Sequence, residues 1–369
     1  QGDGLYWSLL ELEDEPKAQD PHAALVPPLQ EALQAVYQRC PAAIWLPLFI
    51  CPPAAAQIGA FWHDWVRDAA QSVARTIVGD QLPAMSLRLL PEAVHITERY
   101  LDLFESDPTL PGAIVLGFDS PAMFGVPDTP CDVPDPTAQE SRLWLGRPGQ
   151  AVVALLLTAP WLAHQVDSLR VKTSQPVVDS YTPYWDRDTV VHDEAWFAQI
   201  PAPWRDSLLD VPILARLYRG GYSQSEQVPV RPLALADCCL NVLDCALINA
   251  GLREMPYGAQ CSEAIAKPLD AHCRWLVHHA GSVERGGVRL AALGNALTSF
   301  GIDLHPIDDA CNSVVLFGHV GRVLPLLLSA LTIVHASRAG GALCVEFPSS
   351  AEIAAWLALS PARKLNLNG

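Results

Sequence analysis

The chain has 369 residues, half of them hydrophobic, which is enough to bury one large core or two medium ones without disulfide staples. Its 24 basic and 40 acidic residues give a net charge of −16, and no cluster of Lys or Arg interleaved with aromatic residues occurs. This charge opposes binding to a phosphate backbone, so we expect no nucleic-acid partner and infer solubility or a basic protein surface as the role of the acidity.

The apolar residues follow two periods along the chain. Helical spacing predicts helices over residues 22–39, 56–77, 89–107, 233–252, about 286–300 and 322–341. Continuous short apolar runs predict strands over residues 42–50, 112–118, 150–159, 273–280, 312–318, 341–347 and 352–359. Such runs are typical of strands covered on both faces, so the sequence indicates an α/β protein.

Helix, strand and glycine turn recur in both halves of the chain, and the strand pair at 112–159 has a counterpart at 341–359. We therefore predict a duplicated α/β unit. The segment between the halves is rich in Pro and Trp, shows little periodicity and is interpreted as an insertion. The predicted divisions are residues 1–165, 166–232 and 233–369.

Ten cysteines lie mostly inside apolar segments, which favours buried free thiols in a reducing compartment over disulfides. The group at positions 238, 239, 245, 261 and 273 beside His272 matches no zinc-ligand spacing, so we expect no metal. No P-loop, G-x-S-x-G or G-x-G-x-x-G motif is present, and we expect no cofactor. The apolar windows are too short, or too interrupted by polar residues and proline, to span a membrane.

The chain begins without a basic segment followed by an apolar core. We expect a cytoplasmic location, with an anchor or signal removed from before Gln1 as the alternative.

The order of these features resembles the β-ketoacyl synthases, which have a thiolase-like fold. The resemblance covers about residues 22–165 and 233–360 and is carried by the stretches "GAIVLGFDSPAMFG", "GRPGQAVVALLLTAPWLAHQ", "WLVHHAGSVERGG", "SVVLFGHVGRVLPLLLSAL" and "GGALCVEFPSSAEIAAWLAL". It implies two pseudo-repeated α/β halves with mixed sheets around central helices, plus the mid-chain insertion.

In that family two histidines donate hydrogen bonds at the carbonyl of a thioester substrate, and the resemblance assigns these places to His279 and His319. The nucleophile should be a cysteine at a sharp turn before the helix that leads to "GAIVLGFDS". The expected region, residues 82–93, holds no cysteine, and its only candidate nucleophile is Ser86. The family's lysine before the second histidine is also missing from "CNSVVLFGH", so both histidines are interpreted as vestigial.

For each histidine the sequence leaves a structural alternative open. His319, flanked by Gly318 and Gly321 within "FGHVG", would cap the helix that starts at "GRVLPLLL". His279 would be a satisfied core histidine at the end of a buried strand.

A fold of this kind without its nucleophile is similar to the accessory proteins encoded beside type VI secretion lipase effectors, which load the toxin onto the secretion spike. That resemblance implies a non-catalytic adaptor or chaperone whose partners are a lipase effector and a spike protein. The alternative is a thioester-processing enzyme with a relocated nucleophile, Cys51 or Cys131. Five residues of the insertion are candidate partner contacts, with a lid packed on its own fold as the alternative: Trp185, Trp196, Phe197, Trp204 and Arg205.

Overall fold

The computed structural model describes residues 21–53, 61–121, 146–162, 196, 199–224, 232–254, 269–349 and 352–361. In the first half the elements are α1 (Pro21–Arg39), β1 (Leu48–Cys51), α2 (Phe61–Val78), β2 (Leu87–Leu89), α3 (Ile96–Ser106), β3 (Gly112–Asp119) and β4 (Ala151–Thr158). The middle segment contributes α4 (Ala202–Leu209), β5 (Arg216–Leu217) and β6 (Gly221–Gln224). The second half consists of α5 (Pro232–Asn249), β7 (Leu276–His278), α6 (Val283–Ser299), β8 (Ala310–Asn312), α7 (Ser313–Phe317), α8 (Leu324–Ala339), β9 (Gly341–Glu346) and β10 (Glu352–Leu359).

The strand pairing is duplicated. The first sheet has the order β2-β1-β3-β4, in which β1 is parallel to β2 and β3, and β3 is antiparallel to β4. The second sheet contains β8-β7-β9-β10 with the same pattern of two parallel pairs followed by an antiparallel one. The duplicated α/β unit expected from the sequence is therefore confirmed, and α3 and α8 occupy equivalent positions in the two halves.

The two sheets enclose a shared central layer. Residues of α3 and α8 pack in one apolar cluster with the inner faces of both sheets, including Val115 from β3 and Cys344 from β9. The outer face of the first sheet packs against α1 and α2, and that of the second packs against α5 and α6. Alternate residues of β3 belong to opposite clusters, as expected for a strand covered on both faces. Mixed sheets around central helices confirm the thiolase-like fold class.

Three predicted elements are wrong in detail. The run at 42–50 is divided, since Pro41–Trp45 form a 3-10 helix and the strand begins only after Pro47. The helix predicted at 89–107 begins at Ile96, because residues 87–89 form β2. The run "SVVLF", predicted as a strand, is the short helix α7, whose first turn is capped by the Asn312 side chain accepting from Val314 N.

The described part of the middle segment packs on both halves. Strands β5 and β6 extend the second sheet by pairing antiparallel with β10. Helix α4 contacts the first half through Ser207, whose Oγ accepts from Ala42 N at 3.0 Å.

Candidate functional site

His279 lies directly after β7, where the carboxyl ends of the inner strands meet. Its side chain is 1% exposed, and its backbone N–H donates to Val345 O at 3.2 Å. Burial, followed by the charges of His319, His278 and Arg289, lowers the pKa of His279 to about 3. The imidazole is therefore neutral at physiological pH.

His319 lies in the turn between α7 and α8, and this turn is held by the other half of the chain. Its N–H donates to Arg147 O at 2.7 Å, and its carbonyl accepts from Gly149 N at 2.8 Å. The two side chains lie near each other, since the charge of His319 lowers the pKa of His279. The fold thus brings together the two histidines that the resemblance paired.

His278, the residue before His279, faces the outer layer of the second sheet. Its Nε2 lies 2.7 Å from Pro306 O, and its Nδ1 accepts from Ala280 N at 3.2 Å. Burial lowers the pKa of His278 to about 4, partly offset by the Pro306 carbonyl. His278 is therefore a core histidine with both ring nitrogens engaged.

A 3-10 turn, Gly321–Val323, follows His319 and leads into α8, and a carboxylate accepts a hydrogen bond from the backbone of this turn. Asp119, at the end of β3 and 1% exposed, accepts from Arg322 N at 2.8 Å through Oδ2 and from Ser120 N at 2.8 Å through Oδ1. The N-cap residues are Val320 for the 3-10 turn and Val323 for α8, so the alternative in which His319 caps this helix is wrong. The flanking glycines are needed, since Gly318 and Gly321 have φ of 69° and 66°.

Ser86 is not at the turn before α3. It precedes the first residue of β2, its carbonyl accepts from Leu48 N at 2.9 Å, and its Oγ accepts from Arg88 Nε at 3.2 Å. This is the amino end of parallel strands β1 and β2, whereas His279 follows the carboxyl end of β7. The fold therefore separates Ser86 from the histidine pair.

The residue at the start of α3 is His95, which sequence reasoning missed. Its Nδ1 lies 2.8 Å from Thr97 Oγ1, which also accepts from Gly220 N at 3.0 Å. Its Nε2 lies 3.7 Å from Glu98 Oε1, and Arg219 Nε lies 3.3 Å from the same oxygen.

Burial, followed by the charges of Arg219 and Arg99, lowers the pKa of His95 to about 4. A packed neutral imidazole thus lies at the start of α3, just after residues 82–93, the region in which the resemblance places the cysteine. The sequence signal for a helix start at His95 is the stretch "HITE" (95–98). It was overlooked because a single helix was predicted over residues 89–107.

Cys51, the described candidate for a relocated nucleophile, and two further buried cysteines have raised thiol pKa values. Cys51 at the end of β1 donates to Arg322 O with a separation of 3.6 Å. Burial raises its pKa, and Asp119 adds to this, although Arg99 and Arg322 act in the opposite direction. Burial also raises the pKa of Cys311 to about 11 and that of Cys344 well above the usual value. Such thiols supply little thiolate at neutral pH. Cys131 lies outside the described residues.

Three of the five partner-contact candidates lie within the described residues, and all three contact this chain itself. Trp204 packs half-buried in the cluster of α1, α2 and the first sheet, and Trp196 packs against the cluster between the sheets. The Nε of Arg205 donates to Ile200 O at 2.7 Å. Trp185 and Phe197 lie outside the described residues. The described members of the set therefore contribute to the fold of this chain.

Within the ranges that the structure covers, no group of three or more His, Cys, Asp or Glu side chains is arranged to hold a metal ion. Across the same residues, each helix is too short or too polar to cross a membrane.

The sequence matches no protein-family model and no curated protein. Among solved structures it is similar to OleA from Xanthomonas campestris, with 12% identity over 90% of this chain and 79% of that chain and a TM-score of 0.46. It is also similar to 3-oxoacyl-(acyl carrier protein) synthase III from Pseudomonas aeruginosa, with 12% identity over 91% and 82% of the chains and a TM-score of 0.42. For the peroxisomal thiolase of Saccharomyces cerevisiae the identity is 9% over 90% of both chains, with a TM-score of 0.46.

Proposed function

We propose that this chain is a non-catalytic protein of the thiolase-like fold that acts by binding another protein. The observation that carries the proposal is the segment before α3, where residues 82–93 hold no cysteine and the helix starts at the buried, neutral His95. A thioester condensation begins with attack by a thiolate. The imidazole of His95, which is hydrogen-bonded to Thr97, is not a thiolate, and burial raises the pKa of the Cys51 thiol so that it stays protonated.

The histidine pair supports the same function. His279 is almost fully buried and its imidazole is neutral, so no imidazolium form is present at physiological pH to act as a general acid, although the neutral ring keeps one N–H. In this proposal His279 and His319 are retained as packing and turn residues at the junction of the two halves.

The proposed partner is a lipase toxin of a type VI secretion system, with this chain loading the toxin onto the secretion spike. This finer assignment rests on the resemblance between a thiolase-like fold that lacks its nucleophile and that accessory family. The acidic net charge of −16 adds support, because it suits a protein surface that carries excess Lys or Arg.

Co-purification from the native host tests the proposal. Tagged full-length protein should recover a lipase-type effector or a spike protein, identified by mass spectrometry and reconstituted from purified components. A parallel incubation with acyl-CoA and with an acylated acyl-carrier protein should leave the mass of the protein unchanged. Covalent acyl loading that is abolished by Cys51→Ser or His319→Ala, and retained by Ser86→Ala, would instead establish the thioester-processing alternative.

A further inference from the structure

The last strand of the first sheet has an open side. Strand β4 pairs with β3 on one side, and among the described residues no strand pairs with its other side. All eight residues of β3 are buried, whereas seven of the eight residues of β4 are only half-buried. Side chains of both strands pack in the apolar clusters on the two faces of the sheet. The exposure of β4 therefore lies along its open side.

The hydrogen bonds of β3 determine which backbone groups of β4 point outward. Ala159 N donates to Pro111 O at 3.0 Å, so Ala159 and every second residue before it bond to the β3 side. Ile114, which lies opposite Leu156, donates instead to Pro47 O at 3.0 Å, towards β1. The residues whose N–H and C=O groups point away from β3 are called the β4 edge: Val152, Ala154, Leu156 and Thr158.

The β4 edge lacks the features that usually keep an open strand from pairing with another one. Residues 151–158 read AVVALLLT, without a charge or a proline, and their register with β3 is continuous, without a bulge. At the opposite side of the same sheet, β2 is only three residues long and includes Arg88. An uncharged strand of eight residues is therefore suited to receive a further strand.

The β4 edge is complementary to itself. In an antiparallel pair with a twofold axis at Leu155, Ala154 lies opposite Leu156 of a second copy, and Val152 lies opposite its Thr158. This register places all four residues of the β4 edge in hydrogen-bonded pairs, which allows about eight hydrogen bonds across the axis. Leu155 meets its own copy, and no like charges face each other along the strand.

We propose that β4 is the contact through which this chain forms a symmetric dimer, with β4 of a second copy added antiparallel to the β4 edge. The first sheets of the two copies then join in one continuous sheet. The occupant is a second copy because an identical strand offers matching donors, acceptors and apolar side chains in a single register. The dimer goes beyond the proposed function, since it requires neither the toxin nor the spike.

Sedimentation equilibrium of the full chain over a dilution series tests the dimer. The wild type should reach twice the chain mass of 40.0 kDa. L155K places two ammonium groups opposite each other at the axis, so it should weaken dimerisation about tenfold or more, and L155E should do the same with two carboxylates. An equimolar mixture of L155K and L155E should regain the dimer, because opposite charges then face each other.

Leu89→Lys is the matched control. Leu89 is 60% exposed on β2, at the other side of the same sheet. L89K should keep the dimer. Urea midpoints show whether L155K and L155E are folded, and the mixing experiment remains decisive where their midpoints fall, since unfolded chains do not regain a dimer when they are mixed.

Amide hydrogen exchange resolved to single residues tests the register. In the dimer the four amides of the β4 edge should exchange slowly, and in L155K they should exchange about tenfold or more faster. The amides of Val153 and Leu157, which bond to β3, should stay protected in both proteins.

A wild-type chain that stays at 40.0 kDa over the whole dilution series overturns the proposal. Slow exchange of the β4-edge amides in that monomer would then show that a segment of the same chain covers them. A dimer that L89K abolishes and L155K leaves intact also overturns the proposal, because the association would then use β2. So does a mixture of L155K and L155E that remains monomeric while each variant is folded.

Discussion

Replacing Asp119 by Ala should destabilise the whole fold, because this one carboxylate joins the two halves. It is almost fully buried, and its two oxygens accept from Arg322 N and Ser120 N, each at 2.8 Å. A hydrogen bond to a charged group contributes about 1.5–3 kcal/mol, and losing a helix cap costs about 0.5–2 kcal/mol. Because the two effects share the Arg322 bond, we expect a loss of about 3 kcal/mol for Asp119→Ala.

Urea denaturation followed by circular dichroism measures this loss as a fall in the midpoint at constant slope. Asp119→Asn keeps the shape and one carbonyl oxygen, so it should cost about 1 kcal/mol, less than the Ala variant. Asp68→Ala, an exposed carboxylate on α2, should lie within about 0.5 kcal/mol of wild type. Equal losses for Asp119→Asn and Asp119→Ala, or a loss for Asp119→Ala no larger than that for Asp68→Ala, would refute the capping role.

Three further outcomes are expected. Because the folded pKa of His279 is about 3 and its unfolded pKa is about 6.5, its contribution to stability is full above pH 6.5 and should be lost as pH falls towards 3, measurable by urea midpoints across that range. Burial raises the pKa of Glu346 from 4.5 to about 8, so its contribution to stability is full below pH 4.5 and is lost as pH rises to 8; Glu346→Gln should flatten that decline, and an unchanged profile would contradict it. Gly321→Ala should be more destabilising than Gly79→Ala, since both have positive φ but only the Cβ added at Gly321 would meet the Asp119 carboxylate; equal thermal midpoints would argue against that contact.

The sequence was sufficient for the class, the duplication and most long helices, because these depend on periodicity sustained over many residues. It failed at short elements. The run "SVVLF" has the composition of a buried strand, but the Asn312 cap and Gly318 at its end make it one turn of helix. Apolar runs of this length do not distinguish the two structures.

The candidate site was predictable only in part for the same reason. The pairing of His279 with His319 was implied by the resemblance to the β-ketoacyl synthases, and the fold brings the two residues near each other. The position before α3 was misplaced because β2 is only three residues long, so the strand and the following helix were read as one element. The contacts of His95 with Thr97 and Gly220 join segments far apart in sequence, and no local pattern encodes them.

The hydrogen bond from Arg322 N to Asp119 can form only late in synthesis of the chain. Asp119 and Arg322 are 203 positions apart. At the usual elongation rates of about 5–20 residues per second, Asp119 is synthesised about 10–40 s before Arg322. For that interval the inner face of the first sheet has no second sheet against it, and this nascent stage is when the chain is most exposed to aggregation.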